Sequence, residues 1–451
     1  MNIKELKIKG KKYKLPIFLP DATLGIVRGL DNETLKQIST RGVVVNTYHL
    51  NDTPGIDVLE KYANKGNNSE AQLSCSSKKI TAKLGFAVSS GIKNFMNFDG
   101  LVVSDSGGWQ VFSLIKRHGE GGEITDEGVK FKIGGEKNKK LGVFTPEDSI
   151  RIQFEIGADI LICLDDFTGA DDSEEKIKES VERTILWAKR TRKEFDKIIK
   201  EKKLTDETRP LLFAVIQGGW SKKWRKYCAE ELLKIGFDGY GYGGYMVNDK
   251  GELDEEMSKY IAELIPNEYP KFALGVGKTW DIARCYEFGW DIFDCVLPTR
   301  DGRHKRLYNF KSVNKTEASK AKASKAWLLE WSDSGAKSRA FSERYKNLKT
   351  PKNSRSSNFD PRHLSSEASA KLDAGGEVDL KSPDSYEFLY IGRGKFADDA
   401  RPIGGECDCF TCQNYSRGYL HHLFKVDDML AYRLAVIHNL RVYNKVIDNL
   451  Q

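Results

Sequence analysis

Nowhere in this chain does an apolar run approach the roughly 18 residues that a membrane span requires. The opening stretch MNIKELKIKGKKYKLPIF has no apolar h-region either. Neither a membrane segment nor a secretory leader is therefore expected, and a cytoplasmic setting is. Cysteine is scarce: eight among 451 residues. Five are scattered (75, 163, 228, 285, 295) and three are clustered (407, 409, 412). That distribution fits a reducing compartment with one metal site better than a disulfide scaffold. A strong excess of one charge is also missing, with 72 Lys and Arg against 65 Asp and Glu, a net +7. Such a balance suits a polyanionic partner, but plain solubility accounts for it equally well and is preferred on charge alone.

What the chain does have is a recurrence of short β-branched or aromatic runs, each ending in polar residues or glycine. They are PIFLPDA (16–22), VVVNTYHL (43–50), LVVSDSGG (101–108), DILICLDD (159–166), LLFAVIQGG (211–219), YGYGG (240–244), FALGVGK (272–278) and DIFDCVLPT (291–299). Helical spacing of apolar residues lies between several of them, at 146–157, in the region of 186–205 and at 222–236. Eight β–α units predict a (β/α)8 TIM barrel spanning 1–312, whose chemistry sits where the strands end. Those ends carry Asn46, Asp105, Asp165, Gln217, Gly244 and Asp294. Residues 64–92, polar and small, read as a surface insertion. Residues 313–386, rich in Ser, Lys, Asn and Ala, read as a flexible excursion with one helix near 322–332.

Residues 387–451 are expected to form an inserted zinc-binding subdomain with a long C-terminal helix over 426–447. CDCFTC places Cys407, Cys409 and Cys412 within one tight loop. An imidazole from His421, His422 or His438 would complete a tetrahedral set. Such a set leaves no position open for catalysis, so the ion would be one structural Zn2+.

Taken in order, NTYHLNDTPG, SDSGGWQVFSL, GADILICLDDFT, IQGG, GFDGYGYGGYMV, LGVGK, FDCVLPTR and CDCFTCQNYSRGYLHHL…HN resemble the blocks of the tRNA-guanine transglycosylases across nearly the whole chain outside the two insertions. The resemblance implies a zinc-containing barrel that forms a homodimer. It implies an exchange of guanine at the wobble position of GUN-anticodon tRNA for a 7-deazaguanine base. It also selects His438 as the fourth metal ligand.

By the same resemblance Asp294 is the nucleophile and Asp105 the general acid and base. Two inversions at C1′ through an ester would keep the sugar's stereochemistry, as in retaining glycosidases. Asp165 would take guanine's N1–H and amino donors, Gln217 and the Gly244 amide would read O6, and Trp109 and Leu274 would sandwich the ring. Phe167, Tyr245 and Val247 would wall the pocket, and Arg300 and Arg303 would contact the tRNA. Bulky Phe167 and Val247 favour the small 7-aminomethyl base over queuine, whose cyclopentenediol needs room, although the LDD of 164–166 is more similar to the queuine-using form. Tyr245 departs from the family's usual leucine, and TRDGRHKR from its usual run after the arginines.

Duller readings exist for each residue. Asp105 could cap a helix, Asp165 and Asp166 could be a solvated pair, and Trp109 could be core. Rival functions are a dinucleotide oxidoreductase (Gly239, Gly241 and Gly244 spell G-x-G-x-x-G), a non-catalytic tRNA-binding partner subunit, and an enzyme inserting deazaguanines into DNA. The second is opposed by the presence of both Asp105 and Asp294. GVGKT is no phosphate loop, because the earlier glycine it requires is Phe272.

Overall fold

The computed structural model describes residues 3–65, 91–108, 122–133, 140–169, 172–248, 250–311 and 379–451. Most of the expected 64–92 and 313–386 insertions, the helix near 322–332, and Trp109 fall outside them.

Eight parallel strands form the barrel: β1 (Ile17–Pro20), β2 (Gly42–Val45), β3 (Leu101–Ser104), β4 (Ile160–Ile162), β5 (Leu211–Ile216), β6 (Gly239–Tyr242), β7 (Lys271–Ala273) and β8 (Ile292–Cys295). Each pairs in parallel with its neighbour in sequence from β2 round to β8, and β8 pairs with β1. Between β1 and β2 a single parallel bridge, Asp21 to Val44, closes the ring. Alternate side chains along each strand go to opposite faces. Leu101, Val103, Ile160, Ile162, Phe213 and Val215 pack in the interior cluster, while Val102, Leu161, Leu212 and Ala214 pack against the outer helices. A hairpin, Glu5–Ile8 against Lys11–Lys14, adds Leu6, Ile8 and Tyr13 to the interior cluster.

The strands stop earlier than their apolar runs suggest, because helix caps follow at once. Asn46 accepts from His49 N–H at 2.9 Å and starts a helix at Thr47. After β8, Pro298 sits in the first turn of Leu297–Arg303. The helix expected near 186–205 begins at Glu174 and ends at Glu201, since Ser173 caps it and Glu174 and Glu175 face its positive end. Pro146–Ile156 and Lys222–Ile235 lie where the spacing put them. Unanticipated is a three-stranded antiparallel sheet, Glu123–Thr125, Gly128–Ile133 and Lys140–Phe144, between β3 and the Pro146–Ile156 helix.

Residues 1–310 and 380–451 make one compact unit, and 311–379 make a second that is almost wholly outside the described residues. Strand Arg306–Phe310 pairs antiparallel with Tyr386–Tyr390, so Phe310 and Tyr386 stand side by side. A long excursion whose two ends are already neighbours adds little closure cost to the core. Helix Met429–Leu450 is buried along Ala431, Leu434, Ile437, His438 and Tyr443. Among the described residues no helix is long and apolar enough to cross a membrane.

Candidate active site and metal centre

Each barrel strand delivers one group to its C-terminal end. At β3 the chain turns sharply through Asp105-Ser106-Gly107-Gly108. Gly107 has φ +77, and a side chain on Gly108 would meet Leu164 at 2.8 Å. The turn therefore lies against β4, and glycine alone permits it. Asp105 is half-buried. Its Oδ1 accepts from Thr47 N–H and Gly107 N–H, both at 3.1 Å, and its Oδ2 from Asn46 Nδ2 at 2.6 Å. The duller reading is thus partly realised: Asp105 does hold the first turn of the neighbouring helix, while facing the mouth.

Asp165 follows β4. Gln217, the first residue after β5, is fully buried and donates from Nε2 to Asp165 Oδ2 at 2.6 Å. Thr168 fixes that amide's orientation. Its hydroxyl accepts from Gly219 N–H and donates to Gln217 Oε1 at 3.0 Å, so Nε2 faces the acid. Burial pushes the Asp165 carboxyl up to about 6; the Gln217 bond opposes this, and the charges of Asp166 and Asp105 add to it. Asp166 is not part of a solvated pair. It is buried and bonds Arg183 Nη1 at 2.5 Å, on the outer helix.

Asp294, in β8, is half-buried. Its Oδ1 accepts from Gly275 N–H at 2.9 Å, while Oδ2 has no partner among the described residues. Burial raises its pKa to about 7; the Gly275 bond resists, and the charges of Asp21 and Asp105 push further up. Asp105 therefore acts on both Asp165 and Asp294, so the three carboxylates share one electrostatic neighbourhood.

Between them, Gly244 follows β6 with φ +93. Its N–H has no hydrogen-bond partner among the described residues. Gly239 and Gly241 do not form a dinucleotide turn. They lie within β6, where a side chain would strike the Phe213 ring or Leu274. Leu274, after β7, is half-buried against Gly241. Phe167 packs edge-on against Tyr245, ring centroids 5.2 Å apart at 80°, and Tyr245 and Val247 are exposed.

Arg300 and Arg303 sit on the helix after β8. Arg300 is exposed, whereas Arg303 Nη1 is buried with no partner among the described residues. Burial lowers the Arg303 pKa, and the positive charges of Arg28 and Arg300 add to that effect.

Sequence reasoning missed Arg225, Thr168, Asp21 and Arg28. For Arg225 a signal existed. It shares a helix face with Cys228, Ala229 and Leu232, all buried, and a cation on an apolar stripe needs a reason.

The ligand atoms of Cys407, Cys409, Cys412 and His438 lie within 4.8 Å of one another. His438 Nε2 donates to the Tyr308 carbonyl at 2.6 Å, which leaves Nδ1 as the lone pair, 3.1 Å from Cys412 Sγ. A carbonyl holding the far nitrogen is how metal-binding imidazoles are commonly oriented. His421 is engaged elsewhere, with Nδ1 2.7 Å from the Ile391 carbonyl. The donor set could hold one metal ion. Arg441 grips Asp408 through two bonds of 2.9 and 2.8 Å, tying the cysteine loop to the last helix.

A family model described as Queuine tRNA-ribosyltransferase matches residues 2–451. Among curated relatives, the queuine tRNA-ribosyltransferase of Tolumonas auensis is 29% identical over 439 residues, covering 97% of this chain and 86% of its own. That of Aliivibrio salmonicida is 28% identical over 450 residues, covering 99% and 88%. That of Haemophilus influenzae is 29% identical over 435 residues, covering 96% and 83%.

Proposed function

The chain belongs to the queuine tRNA-ribosyltransferase family, and from that premise we propose that it exchanges guanine at the wobble position of a tRNA anticodon for a 7-deazaguanine, as a step of queuosine biosynthesis. The observation that carries this reading is the set of carboxylates Asp105, Asp165 and Asp294 at the strand ends of one barrel beside Gln217, with the charge of Asp105 acting on both of the others.

Asp294 Oδ2 attacks C1′ of the flipped-out nucleoside. The C1′–N9 bond breaks as the C1′–O ester forms, and guanine leaves with the bond's electrons. Asp105 supplies the proton that the departing base needs and later takes one from the incoming base. The second base then displaces Asp294 from the opposite face, restoring the configuration. Asp165, aligned by Gln217, accepts the base's N1–H and amino hydrogens, while the Gly244 N–H donates to O6. Arg300 and Arg303 bind the anticodon phosphates or bases.

Three thiolates and an imidazole are the donor set of a closed zinc site, so Zn2+ is the ion we assign to Cys407, Cys409, Cys412 and His438. Its role is to hold the cysteine loop on the last helix. The functional unit is a homodimer. The preferred base is 7-aminomethyl-7-deazaguanine, because Phe167 and Val247, the side chains proposed to wall the pocket, are bulky and queuine's cyclopentenediol needs room.

The test is incubation of unmodified tRNA with labelled guanine, with each deazaguanine and with double-stranded DNA as an alternative acceptor, read by mass spectrometry of the nucleosides. The reading expects label in tRNA alone and faster entry of the aminomethyl base. No exchange into tRNA would overturn it, and faster queuine entry would overturn the base assignment.

A further inference from the structure

We propose that Arg225 is a positioning residue that sets the direction of the Gly244 N–H, and through it the enzyme's recognition of position 6 of the base. The inference rests on the proposed base exchange.

Arg225 lies on helix Lys222–Ile235 and is only 1% exposed, yet no carboxylate pairs with it among the described residues. It is held by carbonyls alone. Nε donates to Gly219 O at 2.9 Å, and Nη1 donates to Ile216 O at 2.6 Å and to Gly243 O at 2.7 Å. Its guanidinium lies 4.5 Å from the centroid of the Tyr242 ring. Burying a cation without an acid is unfavourable, and a hydrocarbon would fill the same space more cheaply. Packing therefore does not explain the residue. What it gathers does.

The three carbonyls come from the last residue of β5 and from the loops after β5 and β6, which carry Gln217 and Gly244. The Gly243 carbonyl and the Gly244 N–H belong to one trans peptide, so the two groups point in opposite directions. A guanidinium that fixes the carbonyl on its own side fixes the N–H on the other. Gly243 N–H donates to Ile216 O at 2.9 Å, and a side chain on Gly243 would strike the Gln217 amide at 2.6 Å. The peptide is thus pressed against the amide that aligns Asp165. Lysine cannot copy this clamp: one ammonium on a flexible stem lacks the planar fork and the ring stacking.

The experiment compares guanine with 6-thioguanine as exchange substrates for wild type and Arg225→Lys. 6-Thioguanine keeps the N1–H and amino donors and weakens only the acceptor at position 6. Wild type should prefer guanine about tenfold in KM, the worth of one well-aligned hydrogen bond. Arg225→Lys should reduce the preference to about twofold or less by raising the guanine KM, leaving the 6-thioguanine KM and the kcat for both bases nearly unchanged. A purely structural arginine would weaken both bases equally, and a preserved preference overturns the proposal. Tyr242→Leu, which removes the ring beneath the guanidinium, should shift the preference in the same direction. It serves as the test if Arg225→Lys does not fold, and an unchanged ratio there overturns the proposal as well. Wild type that exchanges no base at all would instead sink the proposed function, and this inference with it.

Discussion

Asp294→Asn should make the protein both inactive and more stable, and the gain should depend on pH. The side chain keeps its shape, and the amide oxygen can still accept from Gly275 N–H. What disappears is a carboxylate whose pKa is raised from 3.8 to about 7, first by burial and then by the charges of Asp21 and Asp105. The unfolded chain ionises this group near pH 4, and the folded chain near pH 7. Between those values the folded state binds the extra proton, so this group's contribution is intact below pH 4 and is lost as pH rises through 7. A shift of about 3 pH units corresponds to roughly 4 kcal/mol. The mouth is open to water on one side, so about 2 kcal/mol is the expected net effect. Denaturant melts of both proteins at pH 4.5, 6 and 8 should show the asparagine variant level with wild type at the lowest pH and ahead at the highest. Labelled-guanine exchange should be abolished throughout. In wild type, kcat/KM for tRNA should fall about tenfold per unit below pH 7 as the nucleophile takes up its proton. A stability difference that does not vary with pH would refute the burial argument, and residual full exchange would refute the nucleophile.

Three further outcomes are expected. Asp105→Asn should lower exchange at least a hundredfold, the usual worth of a positioned acid–base group, without loss of tRNA binding in a filter assay. Metal analysis should find about one Zn2+ per wild-type chain, and Cys409→Ser should lose it together with part of the thermal stability. Val247→Gly should open the pocket wall and raise the rate with queuine relative to the aminomethyl base in a competition assay, and an unchanged ratio would exclude Val247 from base selection.

The strand ends were readable because an apolar run that stops at a carboxylate or an amide is visible without coordinates. Asp105, Asp165, Gln217 and Asp294 were all found that way, and the cysteine loop announced itself by spacing. Strand lengths were overread, since Asn46 belongs at once to the end of a run and to a helix cap. The small antiparallel sheet was missed because its strands signal themselves by the alternation of apolar residues and lysine in VKFKI, not by the continuous apolar runs that mark the barrel strands. Arg225 was only half legible: its place on an apolar helix face could be read, but its role could not. Its partners are backbone carbonyls at the end of β5 and on the loops after β5 and β6, and carbonyls leave no trace in a sequence.

Four aspartates here share one chemistry and differ in their donors. Asp166 has a guanidinium and is turned outward, where it braces the Glu174–Glu201 helix. Asp105 has three N–H donors and is fixed in direction. Asp165 has the Gln217 amide, an arrangement that fits its proposed role of accepting from a flat ring. Asp294 has one backbone N–H and an oxygen that nothing among the described residues engages. A nucleophile needs an oxygen unencumbered by hydrogen bonds, and a proton carrier needs a fixed one. This difference in donors supports the proposed assignment of the nucleophile to Asp294 and the proton carrier to Asp105. Exchanging their donors, by removing the Asn46 amide or adding a donor near Asp294, should therefore damage catalysis even with every carboxylate in place.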